Sequence, residues 1–404
     1  MDDERLAHLQ PSDLRALTRL ITDAVVGGTD VAEAMHAAIA RRFGIRRRGP
    51  DERMGCISGL VYRSIRRITT FVSRVVDRML GRRALSMKKR PTSAQRDAVV
   101  AALNGVLGDY LVATANPLAT PMALRRAGAT LPVHPQALRA QLPEATARPV
   151  VWIHGLCMSD RQWTRAGHNH GQALERDLPV TSIFARYNTG LHISMNGKEL
   201  ATHLERLVEA WPVSVERLAL IGHSMGGLVA RSAIYYAAQQ GYTWPERLDP
   251  LLCLGTPHHG APMERGGAWI DALLERSPYS APLARLGQIR SDGITDLGYG
   301  YLRDADWQHP EVSRVGHDTR QPLPLPDHVT TYLMAATKGT RRGDLKDRLL
   351  GDGLVPLDSA LGRHPNPAMA LQVPPTNQYV LYDAHHFALL HHPEVYRQIH
   401  IWMA

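Results

Sequence analysis

Cysteine is nearly absent: 404 residues contain three, Cys56, Cys157 and Cys253, far apart in the chain. That spacing excludes a disulfide framework and a CxxC metal or redox pattern, and it fits a reducing compartment. Long apolar runs are missing too. The longest stretch nearly free of charge, Ala98 to Leu124, is interrupted by Asp109 and carries Asn104, Pro117 and Pro121. It reads as a helix followed by a loop, not as a membrane span. The opening Met1-Asp2-Asp3-Glu4-Arg5 is acidic and polar with no apolar core behind it, so no signal peptide and a cytoplasmic location are expected. No internal repeat is visible. His168-Asn169-His170, His258-His259 and His317-Asp318 lack the spacing of zinc ligands. No carboxylate-rich loop suits calcium. Neither a metal nor a cofactor is expected.

What is present is globular in composition, 44% hydrophobic and 21% charged, with length for one large α/β domain plus an extension. The charge is unevenly placed. The formal net charge is +9, yet residues 41–90 hold 16 Lys and Arg against Asp51, Glu52 and Asp77, a local +13 that leaves −4 for the rest. Within that segment Ile57, Leu60, Val61, Ile65, Ile68, Val72, Val75, Val76 and Met79 recur every three or four residues. Arg63, Arg66, Arg67, Arg74 and Arg78 fall between them. This predicts an amphipathic helix with a cationic face. Such a helix either packs on the main domain with its charges solvated or makes peripheral contact with an anionic membrane through residues 55–90. No zinc-finger, homeodomain or RNA-binding signature accompanies the charge, so no nucleic acid partner is expected.

Residues 1–147 read as a helical extension. Ser12 or Asp13 caps a first helix through Val26, ended by Gly27-Gly28, and Asp30 caps a second through Phe43, ended by Gly44. The basic helix follows, then a helix from about Ser93 to Leu111, then a connector punctuated by Pro132, Pro135, Pro143 and Pro149. From 148 to 404 the pattern changes. Short apolar runs at Pro149–Ile153, Val180–Ala185, Leu218–Ile221, Leu251–Leu254, Val329–Ala336 and Gln378–Tyr382 alternate with helical stretches. One such stretch is Lys198–Trp211, with Asn196 as its expected cap. Buried strands alternating with helices predict an α/β fold with a mostly parallel sheet flanked by helices. Residues 262–328 break the alternation and are expected to form a helical, lid-like insertion.

The chemistry sits at strand ends. Leu218-Ala-Leu-Ile221 runs into Gly222-His-Ser224-Met-Gly226, and Leu228–Gln240 then reads as a helix stopped by Gly241. A GxSxG between strand and helix forces a sharp turn that exposes the central serine, here Ser224, as a nucleophile. The helix N-terminus behind it favours developing negative charge. An oxyanion needs two N–H donors. Met225, after the nucleophile, is one, and the turn His154-Gly155-Leu156-Cys157 supplies the other, Leu156, with Cys157 as the fallback. A serine hydroxyl also needs a base held by a carboxylate. In this arrangement the acid follows the serine and the histidine comes last. Asp352 lies between two glycines after the run at 329–336, and Asp358 and Asp383 are weaker candidates. After the last strand, Asp383-Ala-His385-His386-Phe387 offers two bases, of which His386 is preferred and His385 is the rival. His391 and His392 lie where the last helix begins, and His223 is expected to pack within the serine turn.

Taken together, residues 148–404 resemble α/β-hydrolase-fold lipases and esterases. Within these they resemble bacterial hydrolases related to the GPI inositol-deacylase (PGAP1-like) and lecithin–cholesterol acyltransferase groups. The segments that carry the resemblance are His154-Gly-Leu156, Arg186 to Ser194, Gly222 to Gly226, Gly255-Thr-Pro-His-His-Gly-Ala-Pro262, the Asp352 turn and His386 to Leu390. The resemblance implies a triad of Ser224, Asp352 and His386 and hydrolysis of carboxylic esters through an acyl-enzyme. It also implies lipid-like acyl substrates. The same acyl-enzyme would serve an acyltransferase, and a non-catalytic scaffold tethered by the basic helix is the reading from another class.

Overall fold

The apolar runs after residue 148 become strands in the computed structural model, which describes residues 10–42, 56–86, 93–261, 291–308, 320–341 and 351–404. The chain divides into two units: residues 1–96 with 111–119, and residues 97–110 with 120–404. In chain order the longer helices are α1 (Pro11–Arg42), α2 (Cys56–Ser86), α3 (Ala94–Ala113), α4 (Pro135–Gln141), α5 (His170–Asp177), α6 (Ile193–Ala210), α7 (Met225–Gln240), α8 (Asp292–Tyr299) and α9 (Pro393–Met403). The strands are β1 (Ala123–Arg126), β2 (Ala129–Thr130), β3 (Pro149–Ile153), β4 (Thr164–Arg165), β5 (His168–Asn169), β6 (Thr181–Arg186), β7 (Leu218–His223), β8 (Leu248–Leu254), β9 (Thr331–Ala336) and β10 (Gln378–Leu381).

Eight strands form one sheet in the order β10-β9-β8-β7-β3-β6-β1-β2. From β10 to β6 every pairing is parallel; β1 and β2 close that edge antiparallel. Every residue of β3 and β7 is buried, as expected for central strands covered on both faces. In register, Ile153 of β3 lies opposite Gly222 of β7, and His223 lies opposite Leu254 of β8. The carboxyl ends of three neighbouring strands therefore meet at one place. Crevices outside such ends are where open parallel sheets bind ligands.

Several expectations are corrected. The boundary expected at 147 falls inside the second unit, because residues 97–110 and 120–147 belong with the sheet. The β1–β2 hairpin lies where the sequence predicts a helical extension and connector. Its four-residue strand, half of it arginine, shows no alternation by itself. It forms because the edge of β6 is open to it and because Arg125 meets Asp160 at 3.0 Å while Arg126 pairs with Glu175. Arg186 of β6 bonds both Asp160 and Asp97, the latter at 3.1 Å, so α3 is tied to the same cluster. Helix α6 starts at Ile193 rather than Lys198 and its cap position is His192. Asn196 is buried inside the first turn, donating from Nδ2 to the Asn188 carbonyl at 2.9 Å.

In the first unit, Gly27-Gly28 does not end a helix: α1 runs unbroken from Pro11 to Arg42. A glycine in a helix interior costs about 1 kcal/mol but, unlike proline, removes no hydrogen bond. Tertiary ion pairs on both sides of the glycines hold the helix. Arg15 and Arg19 reach Asp77 of α2 at 2.8 and 2.9 Å, and Asp30 and Glu33 each receive Arg66 at 2.7 Å. The pairing of 15 and 19 with 77, and of 30 and 33 with 66, makes α1 and α2 an antiparallel hairpin. The basic helix expected from Ile57 is α2. Of the insertion at 262–328, residues 262–290 and 309–319 lie outside the described residues, and so does His317-Asp318; α8 falls in the described part.

Candidate active site

Ser224 follows β7 and precedes α7, with φ 56° and ψ −124°. A side chain in the left-handed region is strained, and the surroundings hold it there. The Ser224 N–H donates to the Leu254 carbonyl of β8 at 2.8 Å, and the Ser224 carbonyl accepts from Gly227 at 3.1 Å. Gly226 is required by close approach: a Cβ there would overlap the Ile153 carbonyl at the end of β3. Gly155 leaves room in the same way, since a Cβ on it would stand 3.0 Å from the Ser224 Cβ. Ser224 is 1% exposed, and its Oγ makes no hydrogen bond among the described residues.

Asp352 and His386 are brought together from loops after adjacent strands β9 and β10. Asp352 Oδ2 lies 2.6 Å from His386 Nδ1, and both side chains are 1% exposed. The other carboxylate oxygen, Oδ1, accepts from the Leu354 and Val355 N–H groups at 2.9 and 2.8 Å. The Asp352 carbonyl accepts from the His386 N–H at 3.3 Å. Backbone donors thus fix the carboxylate, and the carboxylate orients the ring. On its other side the ring borders the serine turn. A Cβ on Gly255, the residue after Leu254, would stand 3.0 Å from His386 Cε1, and the His223 ring centre is 4.7 Å from that of His386.

The rivals are placed elsewhere. His385 is exposed and caps the following turn, its Nδ1 accepting from Ala388 at 3.0 Å. Asp358 is exposed and pairs with Arg363 at 3.2 Å; Asp383 is exposed. His391 donates from Nδ1 to the Phe387 carbonyl, 3.1 Å away, and His392 caps α9. His223 is buried in the serine turn, and burial holds it neutral, well below its ordinary pKa.

In the turn after β3, Leu156 and Cys157 follow Gly155, which lies against the Ser224 side chain. Cys157 has φ 56° and its N–H is committed to Thr189 Oγ1 at 3.1 Å, which leaves Leu156 as the candidate donor. Met225 opens α7, so its N–H has no acceptor within the helix. Tyr187 supports this turn and was not singled out in the sequence. Its hydroxyl donates to the His154 carbonyl at 2.7 Å, and its ring stacks on His154 with centres 4.4 Å apart. Burial pushes His154 down to about 4. The signal was present: Tyr187 and Thr189 both lie in the Arg186–Ser194 segment. Among the described residues no group of three or more His, Cys, Asp or Glu is placed to hold a metal ion.

Residues 144–331 match the model of the PGAP1-like alpha/beta domain. A triacylglycerol lipase of Burkholderia plantarii is 27% identical over 139 residues, 33% of this chain and 36% of that protein. The chain thus spans about a third of the length of this curated relative. Among solved structures, the mature form of Bacillus licheniformis lipase BlEst2 is similar at 19% identity and a TM-score of 0.39, covering 63% of this chain and 90% of that one. The Pyrococcus furiosus esterase Pf2001 is similar at 15% identity and a TM-score of 0.34, covering 64% and 82%. The parallel sheet, the serine turn between β7 and α7 and the family match agree: the chain has an α/β-hydrolase fold, and its residues 144–331 are similar to the PGAP1-like alpha/beta domain.

Proposed function

We propose that the protein is a serine hydrolase of carboxylic esters with lipid-like acyl groups, acting through an acyl-enzyme. The observation that carries this reading is the 2.6 Å Asp352–His386 bond at the strand ends that also hold Ser224. Asp352 accepts the hydrogen bond of Nδ1–H, which leaves Nε2 as the base. Ser224 Oγ attacks the ester carbonyl as His386 takes its proton, and His386 then protonates the leaving alcohol. The N–H groups of Leu156 and Met225 receive the oxyanion. Water activated by His386 releases the acid and restores the serine. Among the described residues the Ser224 Oγ makes no hydrogen bond, which suits a contact that tightens on substrate binding. The lipid-like acyl group is in line with the Burkholderia relative, which is named a triacylglycerol lipase.

The test is hydrolysis of p-nitrophenyl esters from acetate to palmitate, with labelling by a fluorophosphonate probe, for wild type and Ser224→Ala. Turnover and labelling that both vanish in the variant support the reading, and the chain-length optimum defines the acyl group. Folded wild-type protein that takes up no probe points instead to a scaffold. Acyl transfer to an added alcohol in preference to water makes the protein an acyltransferase.

A further inference from the structure

The α1–α2 hairpin is packed through its polar side. In α2, Tyr62, Arg66, Thr69, Thr70, Ser73, Val76 and Asp77 are buried or half-buried, and the ion pairs to α1 run through Arg66 and Asp77. The apolar positions turn the other way. Val61, Ile65, Ile68, Val72, Val75 and Met79 repeat at alternating four- and three-residue steps, and all are exposed. Ile68 is 64% exposed and Phe71, beside the stripe, 66%. In α1, Leu14, Leu17, Ile21, Val25 and Met35 form a matching exposed row. Hydrophobic residues scattered singly on a surface are ordinary; two continuous stripes on one hairpin mark an interaction surface.

Charge identifies the occupant. At about 100° per residue, Arg63, Arg67, Arg74 and Arg78 share one sector of α2, and all four are exposed. Phe71 lies between that sector and the apolar stripe. The stripe and the arginine ridge therefore adjoin, leaving the third side of the helix for α1. This is the layout of a helix lying in a membrane interface, with its apolar face among acyl chains and its arginines reaching headgroup phosphates. A second copy of the chain would set one arginine ridge against another, whereas an anionic bilayer relieves both the exposed apolar area and the charge. No helix among the described residues is long and apolar enough to cross a membrane, so the contact is with the surface.

We infer that the α1–α2 hairpin docks on an anionic lipid surface through its outward apolar stripes and the arginine ridge of α2. The inference does not rest on hydrolysis, and vesicle binding is read without turnover. The experiment is flotation of the full chain, and of Ser224→Ala, with phosphatidylcholine vesicles with and without phosphatidylglycerol. Binding should require the anionic lipid, survive in Ser224→Ala and weaken with salt. An arginine near an anionic surface contributes a factor of about five, so R67Q/R74Q/R78Q should weaken binding roughly a hundredfold. I68S/F71S/M79S should abolish it, with circular dichroism and thermal melts confirming that the helices remain. Binding indifferent to lipid charge and salt overturns the inference. So does light scattering that shows a dimer which I68S/F71S/M79S converts to a monomer, because a second copy then covers the stripes.

Discussion

The two units of this chain bury opposite kinds of residue. The hydrolase-fold unit is built on an apolar sheet: β3 and β7 are buried throughout, and the candidate site residues stand at its strand ends. The N-terminal hairpin hides Asp77, Ser73 and Glu33 and leaves Ile68, Phe71 and Met79 outside. The first arrangement is stable in water because apolar area leaves it. The second is held by ion pairs, each contributing little in water, and keeps its apolar area available to something else. Similar amphipathic composition can thus serve a core or a docking face, according to which side finds a neighbour first.

The largest expected effects separate chemistry from scaffold. Ser224→Ala and His386→Ala should each lower kcat on a soluble ester by about 10⁴-fold or more without lowering the melting temperature, whereas Asp77→Asn should leave turnover unchanged. A comparable loss from Asp77→Asn would mean the hairpin takes part in catalysis.

One truncation applied to both units sharpens the contrast in packing. Leu220→Ala, at a fully buried position of β7, should cost about 3 kcal/mol. Ile68→Ala should stay within about 0.5 kcal/mol. Urea midpoints measure both, and a large cost at Ile68 would show that its face is already covered.

Acid should act on the two units in different windows. Burial lowers His154 to about 4 from its ordinary 6.5, so the unfolded chain takes up that proton first. Stability is then full above about pH 6.5 and falls as pH drops towards 4, by on the order of 3 kcal/mol from this ring. Melts at pH 7, 5.5 and 4.5 read the slope, and His154→Phe should make it shallower, the buried His170, His223, His258 and His259 keeping the rest. Asp77 is held below the ordinary carboxylate range by bonds from Arg15 and Arg19. Its contribution is present above about pH 4 and is lost only as pH falls further.

The smallest effect should be the removal of that ion pair at neutral pH. Asp77→Asn should cost the hairpin about 1 kcal/mol or less, and less still in high salt. Helicity followed by circular dichroism during melting, with and without added salt, checks it.

The sequence by itself determined what depends on neighbours in the chain. The serine turn was legible because the apolar strand, Gly222, Ser224, Gly226 and the helix after them lie within one short segment whose backbone they constrain together. The central strands were legible because burial on both faces leaves unbroken apolar runs. The basic helix showed its periodicity for the same local reason. Tertiary structure alone decided the rest. The sequence prefers His386 to its neighbour His385 but offers no partner for either; the carboxylate that meets His386 lies 34 residues earlier in the chain. Cys157 and Leu156 are separated only by Thr189, which takes the N–H of one of them. Gly27-Gly28 reads as a stop until Asp77 and Arg66 bracket it from another helix. The β1–β2 hairpin exists only because β6 presents an edge. Periodicity reports that a helix has an apolar face and a charged one; which face meets protein and which meets solvent is settled by the element packed against it.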